Sequence, residues 1–111
     1  MEPDSGKPAL TEALNQLWAR FLPEIKEKVA VLSSAAAASS AGQLSTEQLE
    51  AARDVAHKLA GVLGTFGLTE GTGLAREAEI LYSAQSGLSP QATARLAAIA
   101  SQLRAIIANR K

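Results

Sequence analysis

Apolar residues along this chain recur every three or four positions, which is the spacing of one face of an α-helix. One such run extends from Leu10 to Leu32 and another from Leu49 to Phe66. No useful stretch alternates between apolar and polar residues, as a half-buried β-strand would. Alanine supplies 23 of the 111 residues, and only four side chains are Phe, Trp or Tyr, a composition that favours helix over strand. The sequence therefore predicts an all-α fold.

The first predicted helix runs from about Leu10 to Gly42, and its apolar spacing continues past Pro23. A proline inside a helix bends it or restarts it as a second segment. Because no Gly or Asn nearby offers a turn, we predict one long helix that is kinked at Pro23. Its apolar positions are Leu10, Leu14, Leu17, Trp18, Phe21, Leu22, Ile25, Val29 and Leu32.

Three further helices follow from capping signals. Ser45 with Gln48 three residues later has the spacing of a capping box, so a second helix is predicted from about Thr46 until Gly67. A third is predicted from about Glu70, capped by Thr69, to Gly87, and a fourth from Ser89-Pro90, an N-cap followed by a proline. The second helix carries one apolar seam, which comprises Leu49, Ala52, Ala56, Leu59, Leu63 and Phe66.

The short connections between these helices make consecutive helices antiparallel neighbours. We therefore predict an up-down-up-down four-helix bundle that forms a single domain over residues 9–111. Residues 1–8 are polar and turn-rich, which predicts a flexible N-terminal tail or a linker from a longer parent. Nothing resembles a signal peptide or a membrane span, so a cytoplasmic location is expected.

Charge and residue counts exclude several function classes. Lys plus Arg and Asp plus Glu both total 11, so no overall field favours nucleic acid or an anionic membrane as a partner. The chain has no cysteine, which excludes disulfides, cysteine nucleophiles and zinc sites that use cysteine. His57 is the single histidine. Since histidine alone has an unperturbed pKa near neutral pH, chemistry at that pH is expected to involve His57.

A helical wheel places His57 away from the core. At 100° per residue, the centre of the second helix's seam lies roughly 140° from His57, so the imidazole is predicted to face solvent. Residues predicted within about 60° of His57 on the wheel are Arg53, Asp54, Ala60, Gly61 and Gly64. Together with Lys58, which lies about 100° around the helix from His57, these are the predicted binding residues.

Gly61 and Gly64 lie inside the predicted second helix, where each costs about 0.8 to 1.0 kcal/mol relative to alanine. One interpretation is steric, because missing side chains let another macromolecule approach the imidazole. The other is close packing between helices of the bundle. Because both glycines lie opposite the seam, we favour steric access.

A carboxylate is predicted beside the imidazole. The turn between the second and third helices centres near Leu68, and Glu79 lies as far beyond it as His57 lies before it. Its carboxylate is therefore placed to accept the Nδ1 proton and to leave Nε2 as the attacking atom. Glu77 is the alternative if the turn is offset, and both residues are equally compatible with ordinary solvated charges.

Residues 56–68, AHKLAGVLGTFGL, resemble the signature of histidine-containing phosphotransfer (Hpt) domains of bacterial phosphorelays. The histidine is followed by glycine four, seven and ten positions later. Residues 17–21, LWARF, and 73–79, GLAREAE, look like the flanking helices of Hpt domains that are fused to response regulators. The similarity covers about residues 10–110.

This resemblance implies a phosphocarrier without catalytic or kinase activity of its own. His57 would exchange a phosphoryl group with an aspartate of a response-regulator receiver domain, and the partners would be receivers or sensor histidine kinases. No cofactor is expected on this chain, since the receiver would supply Mg²⁺. The alternative is a degenerate Hpt-like module that binds a signalling partner without carrying phosphate. A bundle of this size buries its own seams, so a monomer is expected.

One position departs from the family. Hpt domains commonly carry a lysine three residues after the histidine, where its charge can meet phosphoryl oxygens, and this chain has Ala60 there. Arg53 and Lys58 are the two candidate substitutes, since Arg53 is better aimed and Lys58 reaches further. Glu79 occupies the place where the family has a polar partner for the imidazole.

Overall fold

The computed structural model describes residues 6–84 and 87–110. Within them the chain forms four helices, and no strand is present in these two ranges. The helices are α1 (Gly6–Ser40), α2 (Thr46–Thr65), α3 (Thr69–Tyr82) and α4 (Pro90–Asn109). The predicted all-α class is confirmed.

The helices pack in a ring. α1 contacts α2 and α4, and α3 contacts the same two helices, whereas the diagonal pairs α1–α3 and α2–α4 bring no Cα atoms within 8 Å in the described part of the chain. Ser39 near the end of α1 hydrogen-bonds Thr93 near the start of α4, with 2.7 Å between their hydroxyl oxygens. This is the neighbour relation of the predicted up-down-up-down four-helix bundle.

One core runs through the ring. The predicted seam of α2 is buried at Ala52, Ala56, Leu59 and Leu63, while Leu49 and Phe66 at its two ends are partly buried. The other helices contribute large apolar side chains at helical spacing. The largest fully buried side chains are Tyr82, Ile25, Leu59, Leu63, Ile99 and Leu103. α2, which carries the histidine, is therefore anchored along its whole inner face.

The start of α2 and the start of α4 match the capping predictions. Gln48 donates its backbone N–H to the Ser45 hydroxyl, and its side chain accepts from the Ser45 backbone N–H, at 3.0 and 2.8 Å. The Ser89 hydroxyl accepts from the backbone of Ala92 at 3.0 Å. After α2, Gly67 has φ +73°, a left-handed conformation that glycine adopts without steric cost. These signals were readable because capping is local in sequence.

The predicted limits of α3 were wrong at both ends. Leu68, not Thr69, is the N-cap, and no side chain caps the helix there. The Thr72 N–H reaches the Leu68 carbonyl at 2.9 Å, which makes Thr69 the first helical residue. The helix ends at Tyr82, because Ser83 donates its N–H three residues back to Ile80 and tightens the last turn. Residues 85 and 86, which were predicted as helix, lie outside the described residues.

α1 is longer than predicted at its start. It begins at Gly6 and continues through Pro23 to Ser40, two residues before Gly42 with φ +70°. The predicted kink at Pro23 stays a prediction, and residues 1–5 of the predicted tail lie outside the described range. Since α1 has 35 residues and the other helices have 14 or 20, its first part extends beyond them. Leu10 lies in this extension and is 62% exposed, whereas Trp18, further along α1, is buried and contacts Phe66 of the loop after α2.

Candidate functional site

His57 lies in the middle of α2 on its outer face. Its side chain is 71% exposed, as the helical wheel predicted. Ala56 and Leu59, on either side of it in sequence, are fully buried in the core. The ring therefore stands on a rigid helix and is open to a partner.

A carboxylate from α3 holds one nitrogen of this ring. Glu79 Oε2 lies 3.0 Å from His57 Nδ1. A carboxylate only accepts hydrogen bonds, so Nδ1 donates and carries the proton of the neutral ring. Nε2 then has the free lone pair. The contact between His57 and Glu79 that the turn arithmetic predicted is present.

The register of α2 against α3 agrees with this pairing. Residues at the same level on the two helices are equally far in sequence from Leu68. His57 and Glu79 are each eleven residues away from it, and Gly64 and Thr72 are each four. A Cβ placed on Gly64 would lie 3.5 Å from the Thr72 hydroxyl oxygen. The His57–Glu79 hydrogen bond and the close approach of Gly64 to Thr72 thus agree on the same antiparallel alignment.

Glu77, the alternative partner, is occupied elsewhere. Arg95 of α4 donates to both of its carboxylate oxygens, from Nε at 2.6 Å and from Nη2 at 2.7 Å. This hydrogen bonding, more than the accompanying Coulomb attraction, holds the pKa of Glu77 below its ordinary value. Glu77 therefore ties α3 to α4, and Glu79 alone of the two serves His57.

The glycines near His57 differ in what surrounds them, which separates the steric-access interpretation from the helix-packing interpretation. No atom lies within 4 Å of a Cβ placed on Gly61, so this position is open space beside His57. A Cβ on Gly71 of α3 would instead lie 3.0 Å from Leu63 Cδ1. Gly71 is thus the packing glycine, which the sequence did not single out, and Gly61 leaves room for a partner.

An open cavity of about 330 Å³ surrounds the exposed side of the ring. Its lining residues are His57, Ala60, Gly61, Arg76, Glu79 and Ile80. Sequence reasoning missed Arg76 and Ile80 as parts of this site, and Ile80 is 70% exposed although it is apolar. A larger cavity of about 480 Å³ lies between α1 and α4, and none of the predicted site residues lines it.

Other kinds of site find no support in the described residues. There, no group of three or more His, Asp or Glu side chains is arranged to hold a metal ion. Nor does any helix of the described chain combine the length and apolarity that a membrane span requires. What the site offers chemically is a single oriented imidazole nitrogen on an accessible face.

A family model described as the Hpt domain matches residues 16–109. This chain belongs to the Hpt family. Protein RcaC of Microchaete diplosiphon is 33% identical over 89 residues, which cover 80% of this chain and 14% of RcaC. The chain thus spans a small part of that relative's length, and no solved structure matches it. Membership gives this Hpt domain a phosphotransfer-related role in phosphorelay, or two-component, signalling.

The remaining predicted binding residues of this Hpt domain do not all share one surface. Lys58 and Asp54 form an ion pair of 3.0 Å, and both line a cavity between α1 and α2 rather than the one at His57. Arg53 is exposed one turn before His57 and does not line the histidine cavity. Ala60 was predicted on the exposed face but is only 5% exposed, because α3 packs over it. The Thr72 hydroxyl donates to the Ala60 carbonyl at 3.2 Å.

Proposed function

We propose that His57 accepts a phosphoryl group from an aspartyl phosphate of a response-regulator receiver domain and donates it to another such aspartate. The observation that supports this most directly is the exposed imidazole whose Nδ1 is bonded to Glu79 at 3.0 Å. Only a nitrogen without a proton can attack phosphorus, and this bond leaves Nε2 in that state. The open Cβ position of Gly61 lets a partner reach it.

The reaction needs few groups from this chain. The Nε2 lone pair attacks phosphorus, the bond between phosphorus and the aspartate oxygen breaks, and its electron pair returns to the aspartate carboxylate. Nδ1 keeps its proton throughout, so the phosphorylated ring is cationic and faces the anionic Glu79. Transfer to a second aspartate is the reverse of these steps. Phosphoryl transfer depends mainly on positioning and electrostatics, and a Mg²⁺ ion on the receiver would supply charge stabilisation there.

In this proposal the protein carries a phosphoryl group and is not itself an enzyme. Its partners are receiver domains or sensor histidine kinases in the cytoplasm. The exposed Ile80 next to the imidazole offers such a partner an apolar contact. The expected monomeric state stays a prediction, which sedimentation at several concentrations would test.

The experiment mixes this protein with a radiolabelled phosphorylated receiver domain. Label should appear on this chain as an acid-labile, base-stable adduct, and His57→Gln should abolish it. Gln keeps a polar, helix-compatible side chain at an exposed position, so circular dichroism should show an unchanged fold. Glu50→Gln, an exposed change elsewhere on α2, is the matched control and should accept label normally.

Two results would count against the proposal. Label that persists in His57→Gln would place the acceptor elsewhere. Binding to receivers without any label on the wild-type chain, across a broad panel, would identify the alternative, a degenerate module that carries no phosphate.

A further inference from the structure

We infer that Arg76 binds the oxygens of the phosphoryl group that His57 carries. This inference rests on the proposed function and assigns a residue that the sequence analysis did not place in the site. Its basis is an arginine of α3 that lines the histidine cavity and has no partner within the described chain.

The register places Arg76 within one helical turn of the level of His57. It lies three residues before Glu79, about 4.5 Å back along α3. On α2 the same level is that of Ala60, three residues beyond His57, because Ala60 and Arg76 are each eight residues from Leu68. Position 60 has only a buried methyl group, and Gly61 has no side chain. Nothing on α2 therefore separates the Arg76 side chain from the space over the imidazole.

A phosphorylated His57 would leave net negative charge at this place, because the single positive charge of the ring is smaller than the combined negative charge of the phosphoryl group and Glu79. A phosphoryl group adds up to about two negative charges. It would be attached to a ring whose other nitrogen contacts Glu79, already an anion. Among the residues that line the cavity, Arg76 is the only one with a permanent positive charge. Its planar guanidinium can donate two parallel hydrogen bonds to phosphoryl oxygens.

The other cations near α2 and α3 are less well placed. Lys58 is paired with Asp54 on the side that faces α1, and Arg95 is held by Glu77. Arg53 is exposed but does not line the cavity. Arg76, rather than Arg53 or Lys58, is thus the cation placed to bind the phosphoryl oxygens.

The test measures the phosphorylated ring itself, without a receiver domain. The full chain is phosphorylated with phosphoramidate, a small donor, and the decay of the phosphohistidine signal is followed by ³¹P NMR at pH 8, where the adduct is stable enough to observe. A nearby cation stabilises the phosphoryl group on His57, so Arg76→Gln should shorten the half-life of the phosphohistidine by about 1.4- to 5-fold, the range of an exposed ion pair. Arg76→Lys should restore part of this loss, because it keeps the positive charge but cannot donate two parallel hydrogen bonds.

The matched control, Arg20→Gln, removes an exposed cation of α1 that has no assigned role in the site, and it should leave that half-life unchanged. Circular dichroism should show the same fold for all variants, since the altered side chains are exposed. If Arg76→Gln shortens the half-life no more than Arg20→Gln, the inference is wrong and the proposed function stands. If the wild-type chain gives no phosphohistidine signal that His57→Gln removes, the proposed function and this inference are both wrong.

Discussion

At the scale of single residues, the reactivity of His57 depends on what α3 places beside it. A histidine that is 71% exposed on a helix samples several ring orientations and both neutral tautomers unless a neighbour selects one. The 3.0 Å bond to Glu79 selects both the orientation and the tautomer. Under the proposed function, a phosphorylated, cationic ring would be stabilised further by the same carboxylate. Glu79 is therefore expected to affect the rate of phosphoryl transfer rather than the stability of the fold.

Glu79→Ala should slow phosphoryl transfer from a receiver by about tenfold, the effect of losing one hydrogen bond of roughly 1.4 kcal/mol to a charged group. Glu79→Gln should lose less, because its amide oxygen still accepts from Nδ1 while the negative charge is gone. Rapid-quench transfer kinetics with one phosphorylated receiver would measure both.

The matched control is Glu12→Ala, which removes an exposed carboxylate from α1 and should transfer at the wild-type rate. Urea denaturation should show similar stability for all of these proteins, since the His57–Glu79 pair is solvent-exposed. Transfer by Glu79→Ala at the wild-type rate would remove Glu79 from the mechanism.

The sequence predicts those features of the site that depend on one helix or one turn, and it does not predict those that depend on how the helices pack together. The wheel needs one helix only, and it placed His57 and Gly61 correctly. Counting outward from Leu68 gave Glu79, and the same count would have given Arg76. The pairing of Lys58 with Asp54 and the cover over Ala60 were not predictable in this way, because a wheel does not show which neighbouring helix packs against which side.

At the scale of elements, α2 combines a stabilised start with a destabilised outer face. The capping box satisfies the backbone N–H groups of Ser45 and Gln48, which is worth about 1 kcal/mol. Gly61, in the middle of the helix, lowers helix stability by a similar amount relative to alanine. No atom lies within 4 Å of the position that a Cβ at residue 61 would occupy. Packing therefore does not explain that glycine, and the proposed access for a partner would.

Gly61→Ala should stabilise the protein by about 0.8 to 1.0 kcal/mol, because the added methyl group meets open space and alanine is the better helix former. Gly61→Gln should retain most of this gain and slow transfer from a receiver, since its longer side chain occupies the histidine cavity. Urea denaturation and transfer kinetics measure the two effects separately.

Ala51→Gln adds the same bulk to a different, exposed side of α2 and is the control for size alone. It should leave the transfer rate unchanged. Should Gly61→Gln transfer as fast as Ala51→Gln, the partner does not approach over Gly61, and the steric interpretation fails.

Helix limits show where local signals stop being sufficient. Ser45, Ser89 and Gly67 marked helix ends correctly because their hydrogen bonds or backbone angles involve only adjacent turns. Thr69 was misread as a cap because it resembles one by residue type, whereas Gly67 and Leu68 already reverse the chain. α3 ends early in a tightened last turn, in which Ser83 donates its backbone N–H to Ile80, and the apolar spacing does not reveal this end.

At the scale of the whole molecule, the fold is a short bundle with one long helix. The radius of gyration is 16.0 Å, against about 13 Å for a globular chain of this length, and the longest extent is 60 Å. α1 accounts for the difference, since it outruns its neighbours and leaves Leu10 62% exposed. The apolar spacing of α1 starts at Leu10, but spacing alone does not reveal that the other helices are too short to cover the start of α1.

Arg95 of α4 makes a bidentate ion pair with Glu77 of α3. Because this pair requires an ionised Glu77, the stability of the bundle is expected to depend on pH. Hydrogen bonding from Arg95 lowers the pKa of Glu77 in the folded chain from 4.5 in its ordinary state. Stability from a lowered carboxyl pKa is fully present above the unfolded value and is lost as the pH falls through the folded value. Wild type should therefore be more stable than Glu77→Gln at pH 7, and the difference should vanish in acid.

Urea denaturation of both proteins between pH 7 and pH 2 measures this difference. The other carboxyl groups are common to both chains, so their titration cancels in the comparison. Glu50→Gln, an exposed carboxylate of α2, should differ from wild type by little at either pH. A Glu77→Gln deficit that is equally large at pH 7 and at pH 2 would show that the amide disturbs packing, because protonated Glu77 has no charge for Arg95 to stabilise.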